Sequence, residues 1–137
     1  MERQPDDVLT ALAGSWRLSR EVRHADGMLV WASGFAVLEE RDGGLTEREW
    51  GRARFPDGAS ARFEQRRRWR GEGCALVIEK GDGSPLCTVR DGTGRHDCPP
   101  DTYRLRLETG ELPSAWTMEW TVTGPHKDYA MRTRYAR

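Results

Sequence analysis

Asparagine is absent from the 137 residues, isoleucine occurs once, at Ile78, and lysine only at Lys80 and Lys127. Arginine supplies nearly all of the positive charge, a skew that reads as the codon bias of a GC-rich genome rather than as chemistry. No run of about 18 apolar residues occurs, and the start, Met1-Glu2-Arg3-Gln4-Pro5-Asp6-Asp7, has no apolar core of a signal peptide. A cytoplasmic protein without a membrane partner is expected. Excess charge is also missing: 22 basic residues meet 22 acidic ones, for a formal charge of +0. That balance argues against neutralising nucleic-acid phosphates as the main task, so no nucleic-acid partner is expected. Three cysteines, Cys74, Cys87 and Cys98, cannot all pair within one chain, which suits free thiols in a reducing compartment.

What is present is aromatic: six Trp, three Tyr and three Phe, too many large rings for a disordered segment. The length suits one domain spanning residues 1–137. Val8, Leu9 and Leu12 recur at helical spacing behind Asp6 and Asp7, predicting a short helix over Pro5 to Ala13 that Gly14 stops. Beyond it the chain reads as strands: Ser15 to His24, Met28 to Glu39, Leu45 to Phe55, Ala59 to Arg70 and Ala75 to Lys80. Pro85 to Arg90, Gly94 to Cys98, Tyr103 to Thr109, Ala115 to Thr123 and Lys127 to Tyr135 follow. Turn residues such as Asp26-Gly27, Asp57-Gly58 and Asp91-Gly92 separate them. This is the pattern of an all-β, antiparallel up-and-down barrel of about 8–10 strands, a size with room for one small ligand.

Alternation places Trp116, Met118, Trp120 and Val122 on one inward face and Tyr129, Met131, Thr133 and Tyr135 on another. The set Ala61, Phe63, Gln65, Arg67 and Trp69 is the better inward candidate of its strand, which would aim Gln65 and Arg67 at the cavity. For the pair Glu47 and Glu49 an exposed charged face is the commoner arrangement, with an inward acid or base the alternative. The run Arg66-Arg67-Arg68-Trp69-Arg70 suggests a solvated edge more than RNA stacking.

Leu12-Ala13-Gly14-Ser15-Trp16 resembles the opening of lipocalin-like, or calycin, barrels. That resemblance implies a Trp closing the barrel floor under a basic side chain from the last strand, here Arg132 or Arg134. Asp82 to Cys87, His96-Asp97-Cys98-Pro99-Pro100-Asp101-Thr102-Tyr103 and Gly124-Pro125-His126-Lys127-Asp128-Tyr129 extend the likeness. In order and spacing they are similar to a bacterial family of unknown function made of small lipocalin-like barrels. Ser84, Cys87 and His126 stand where that family has Arg, His and Arg, so a role resting on a central Arg and His does not carry over.

The polar residues converge at one barrel end. His96, Asp101 and Tyr103 flank a Pro99-Pro100 bend and can meet Lys127 and Tyr129 of the closing strand. Lys127, His96 and Tyr103 are the candidate catalytic groups, and Asp101, Tyr129, Glu49, Arg67, Trp116 and Trp120 the candidate ligand contacts. Equally, Asp101 and Lys127 read as a structural ion pair. The Cys and His spacings do not make a tetrahedral zinc site, so neither metal nor cofactor is expected. The expected function is binding of a small, largely apolar molecule bearing an anionic or carbonyl group, by a monomer or homodimer. The alternative is a cofactor-independent isomerase, cyclase or lyase with Lys127 or His96 moving the proton.

Overall fold

In the computed structural model, which describes residues 4–137, one helix precedes ten strands. Helix α1 (Pro5–Leu12) leads into β1 (Gly14–His24), β2 (Leu29–Arg41), β3 (Gly44–Arg54), β4 (Ser60–Glu72) and β5 (Ala75–Lys80). There follow β6 (Pro85–Arg90), β7 (Thr93–Cys98), β8 (Asp101–Glu108), β9 (Ala115–Thr123) and β10 (Asp128–Ala136). Every expected strand is found, with ends displaced by no more than two residues.

Each strand pairs antiparallel with its sequence neighbours, and β1 closes on β10 from Arg17↔Ala136 to His24↔Tyr129. The result is a closed up-and-down barrel of lipocalin-like fold. β4 is paired on both sides, by β3 and β5, so the arginine run is not an edge: Arg67 and Trp69 point inward while Arg66, Arg68 and Arg70 point out.

One barrel end is sealed. The apolar stripe of α1, Val8, Leu9 and Leu12, packs into a core with Trp16, Leu38, Leu45, Trp69, Leu107 and Trp116. Trp116 stacks on Tyr135 at 3.7 Å between centroids, and Trp16 and Trp69 meet it edge-on at 6.1 and 5.9 Å. The predicted inward rings Trp116 and Trp120 are buried, whereas Trp50 lies on the outer face against Phe35.

The floor explains the Gly-x-Trp opening. Gly14 has φ +123°, open to glycine alone, and a Cβ there would lie 2.7 Å from an Arg137 nitrogen. Trp16 donates its indole N–H to the Leu12 carbonyl at 2.9 Å, locking helix to strand. The basic cover comes from Arg137, one residue past β10, and not from Arg132 or Arg134, which pair outside with Glu119 and Glu111. The Arg137 guanidinium sits 3.8 Å from the Trp16 ring centroid and donates to the carbonyls of Ala13, Ser15 and Pro113. Arg137→Ala should cost about 2 kcal/mol of stability and Arg137→Lys somewhat less, read from urea midpoints. A truncation lacking Arg137 that unfolds at the wild-type urea concentration would contradict this assignment.

Candidate functional site

The opposite end is less deeply buried. Along β1 the inward side chains run from buried Trp16, Leu18 and Arg20 to half-buried Val22 and His24. Along β10 they run from buried Tyr135 and Thr133 to half-buried Met131 and Tyr129. Phe63 and Tyr103 are likewise half-buried inward rings at this level.

At the rim, Lys127 donates to the Tyr103 hydroxyl at 3.1 Å and pairs with Asp101 at 3.5 Å. The His96 ring lies 6.2 Å from that of Tyr103, as their facing register positions require. Tyr129 meets His24 at 5.8 Å between centroids, so the strand pairing at the closure joins β1 to the cluster. Gly124 makes this possible: a Cβ there would stand 2.0 Å from an Asp101 carboxylate oxygen. His126 and Asp128 are exposed outside the cluster.

Lys127 is held charged, its pKa raised by the hydrogen bond it donates to the Tyr103 hydroxyl and by the neighbouring Asp101 carboxylate. Burial pushes the Tyr129 phenol up, which keeps it a neutral hydrogen-bonding group. The Cys87 thiol is buried and pushed up to about 11 by desolvation, so it is protonated and unreactive at neutral pH.

Below the rim lies a second polar group. Glu47 and Glu49 are 2 % and 0 % exposed, overturning the solvent-facing expectation for this pair. The register supplies their partner, because Glu47 faces Arg67 across β3 and β4. Arg67 donates to Glu47 from Nε at 2.8 Å and to Glu49 from Nη2 at 2.7 Å, and Trp69 donates its indole N–H to Glu47 at 2.8 Å. Tyr135 donates its hydroxyl to Glu49. Gln65, expected to point into the cavity, is exposed.

Arg20 completes the group. Its Nη2 donates to Glu49 at 2.7 Å and its Nε to Thr133 at 2.7 Å, with the guanidinium 5.4 Å from the Phe63 ring centroid. Its Nη1 has no acceptor among the described residues, and the side chain keeps 8 % exposure. Against the cost of burial, two guanidiniums hold Glu49 down to about 2, whereas burial pushes Glu47 up against the pull of Arg67.

Thus Asp101, Tyr103, Lys127, His96 and Tyr129 come together at the rim, and Glu49 and Arg67 lie deeper in a separate cluster. Sequence reasoning missed His24, Arg20 and Arg137. The first two were legible: both sit at alternate positions after Trp16 and Leu18 on the inward face of β1. No group of three or more His, Cys, Asp or Glu among the described residues is placed to hold a metal ion, and no described helix is long and apolar enough to cross a membrane.

The chain is similar in fold to a de novo designed fluorescence-activating β-barrel, at 14% identity and TM-score 0.52, covering 96% of this chain and 97% of that one. It is also similar to the S-type phycobiliprotein lyase CPES from Guillardia theta, at 10% identity and TM-score 0.53, covering 99% and 93%. At these identities the likeness carries the fold. No functionally curated protein matches the sequence. Residues 12–137, from the Leu-Ala-Gly-x-Trp opening to the arginine that covers its tryptophan, match a defined family, and the chain belongs to it: the family of unknown function DUF6314.

Proposed function

We propose that the protein binds a small, largely apolar molecule carrying an anionic or carbonyl group, seated at the barrel end opposite α1. The carrying observation is the asymmetry of the interior. One end is plugged by α1, Trp16 and Arg137, while at the other half-buried rings gather beside a cation. Phe63, Met131 and Tyr103 offer apolar walls. Lys127 at the rim and the uncommitted Nη1 of Arg20 beneath offer donors to an oxygen of the ligand. The names of the two similar barrels, one fluorescence-activating and one a lyase of phycobiliproteins, are in keeping with such a use.

The isomerase or lyase alternative draws less support. Tyr103 and Asp101 stabilise the charged form of Lys127, which opposes its action as a general base near neutral pH.

Native mass spectrometry of the protein purified from its own host should show a low-mass adduct released on denaturation. Lys127→Ala should weaken that ligand about tenfold or more, and Gly124→Ala, which displaces Asp101, should also weaken it. Unchanged affinity in both variants would overturn the site, and turnover of the released molecule by the wild type would favour the enzyme.

A further inference from the structure

The formal charge of +0 hides a separation that the register makes visible. On the outer surface of β1 to β4, side chains fall into rows across the strands. One row reads Arg17, Phe35, Trp50, Glu64, and the next Ser19, Ser33, Arg52, Arg62. They are flanked by Glu21, Trp31, Arg54, Ser60 on one side and Ser15, Val37, Arg48, Arg66 on the other. Six arginines therefore share this wall with two glutamates.

Among the described residues, none of Arg17, Arg52, Arg54 and Arg62 enters an ion pair, and Glu64 is shared between Arg48 and Arg66. The opposite wall is better balanced: Arg90 and Arg104 have no ion pair among the described residues, but its other arginines are matched by acids. Arg95 pairs with Asp97 at 3.1 Å, Arg132 with Glu119 at 3.4 Å and Arg134 with Glu111 at 2.8 Å.

The two most exposed rings lie on the positive wall. Trp31 is 52% and Phe35 51% exposed. Phe35 leans on Trp50 at 5.9 Å, and the Arg48 guanidinium lies 4.9 Å from the Trp50 centroid. These cross-strand contacts steady the sheet, but they leave large rings in water among unpaired guanidiniums, the kind of patch that marks an interaction surface.

We propose that this wall is a binding surface for single-stranded nucleic acid, a second activity independent of the barrel mouth. Rings and guanidiniums lie about 5 Å apart across strands and about 7 Å apart along them. Bases stack on Trp31 and on the Phe35–Trp50 pair, and the phosphates run past Arg52, Arg54 and Arg62. A flexible polyanion with planar faces follows a surface convex across four strands. A flat anionic bilayer would touch only a strip of it and would desolvate Glu21 and Glu64.

The test is fluorescence anisotropy with labelled oligothymidylate and oligouridylate at about 50 mM salt, beside sedimentation with phosphatidylglycerol–phosphatidylcholine vesicles. At least one oligonucleotide should bind, more weakly as salt rises. The Trp31→Ala/Phe35→Ala double variant should weaken binding about tenfold or more. Arg52→Gln/Arg62→Gln should lower the slope of log K against log salt by about 1.4. Arg132→Gln, on the balanced wall, should leave binding unchanged. All four positions project outward, so the thermal midpoint should stay near wild type. Failure of both oligonucleotides to bind, binding indifferent to the wall variants, or vesicle binding in place of oligonucleotide binding would overturn the proposal.

Discussion

Glu49→Gln should destabilise the protein by about 3–5 kcal/mol, the cost of leaving buried guanidiniums without their counter-charge. Glu49 is 0 % exposed and answers Arg20 and Arg67 at 2.7 Å each, so the neutral amide removes the attraction on both while their desolvation remains. That loss is a large fraction of the stability of an ordinary domain. Replacing the charges together, Arg20→Met with Glu49→Leu, should recover part of it, because Arg67 keeps Glu47.

The pH dependence carries a sign. Glu49 is depressed to about 2 in the folded chain, so its contribution is complete above the ordinary value of 4.5 and is lost as pH falls toward 2. Glu47 acts oppositely: burial raises it, so ionising it costs stability as pH climbs past 4.5. Between pH 6 and 3, urea midpoints should fall more steeply for the wild type than for Glu49→Gln. Coincident curves would mean that Glu49 is not ionised in the folded chain.

The second large effect belongs to two glycines with no side chain to lose. Gly34 and Gly51 face each other across β2 and β3, and a Cβ on either would stand 2.0 or 2.1 Å from the opposite strand's carbonyl oxygen. No rotamer relieves a clash with backbone. Gly51→Ala should therefore cost about 3 kcal/mol, with Gly34→Ala similar. Gly110→Ala is the control, since nothing lies within 4 Å of its added carbon. It should stay within about 0.5 kcal/mol of wild type. Equal urea midpoints for Gly51→Ala and Gly110→Ala would show that the two strands can part without loss.

The strands were legible because Asp-Gly turns and period-two alternation are local signals, and the faces of Trp116 to Val122 and Tyr129 to Tyr135 follow from them. The rim cluster was legible as a neighbourhood, since the Pro99-Pro100 bend and Gly124-Pro125 mark strand ends that an up-and-down barrel brings to one side. The buried charges were not. Parity within β3 is ambiguous when one face carries Leu45, Glu47 and Glu49 and the other Arg48 and Trp50. Only the cross-strand register, which seats Arg67 opposite Glu47, makes the acids tolerable inside. Arg137 escaped notice for a related reason: a strand pattern says nothing about the residue just beyond the strand's end. The positive wall was concealed in turn by counting charge over the whole chain.

The closure of β1 on β10 has a temporal consequence. Arg17 pairs with Ala136, and Arg137 clasps the floor beside Trp16, so β1 has its final neighbour only after more than a hundred residues of intervening chain have been brought round. Until then β1 has one side unpaired and the floor is uncovered, and the long loop that must close makes barrel closure a slow, late event of folding.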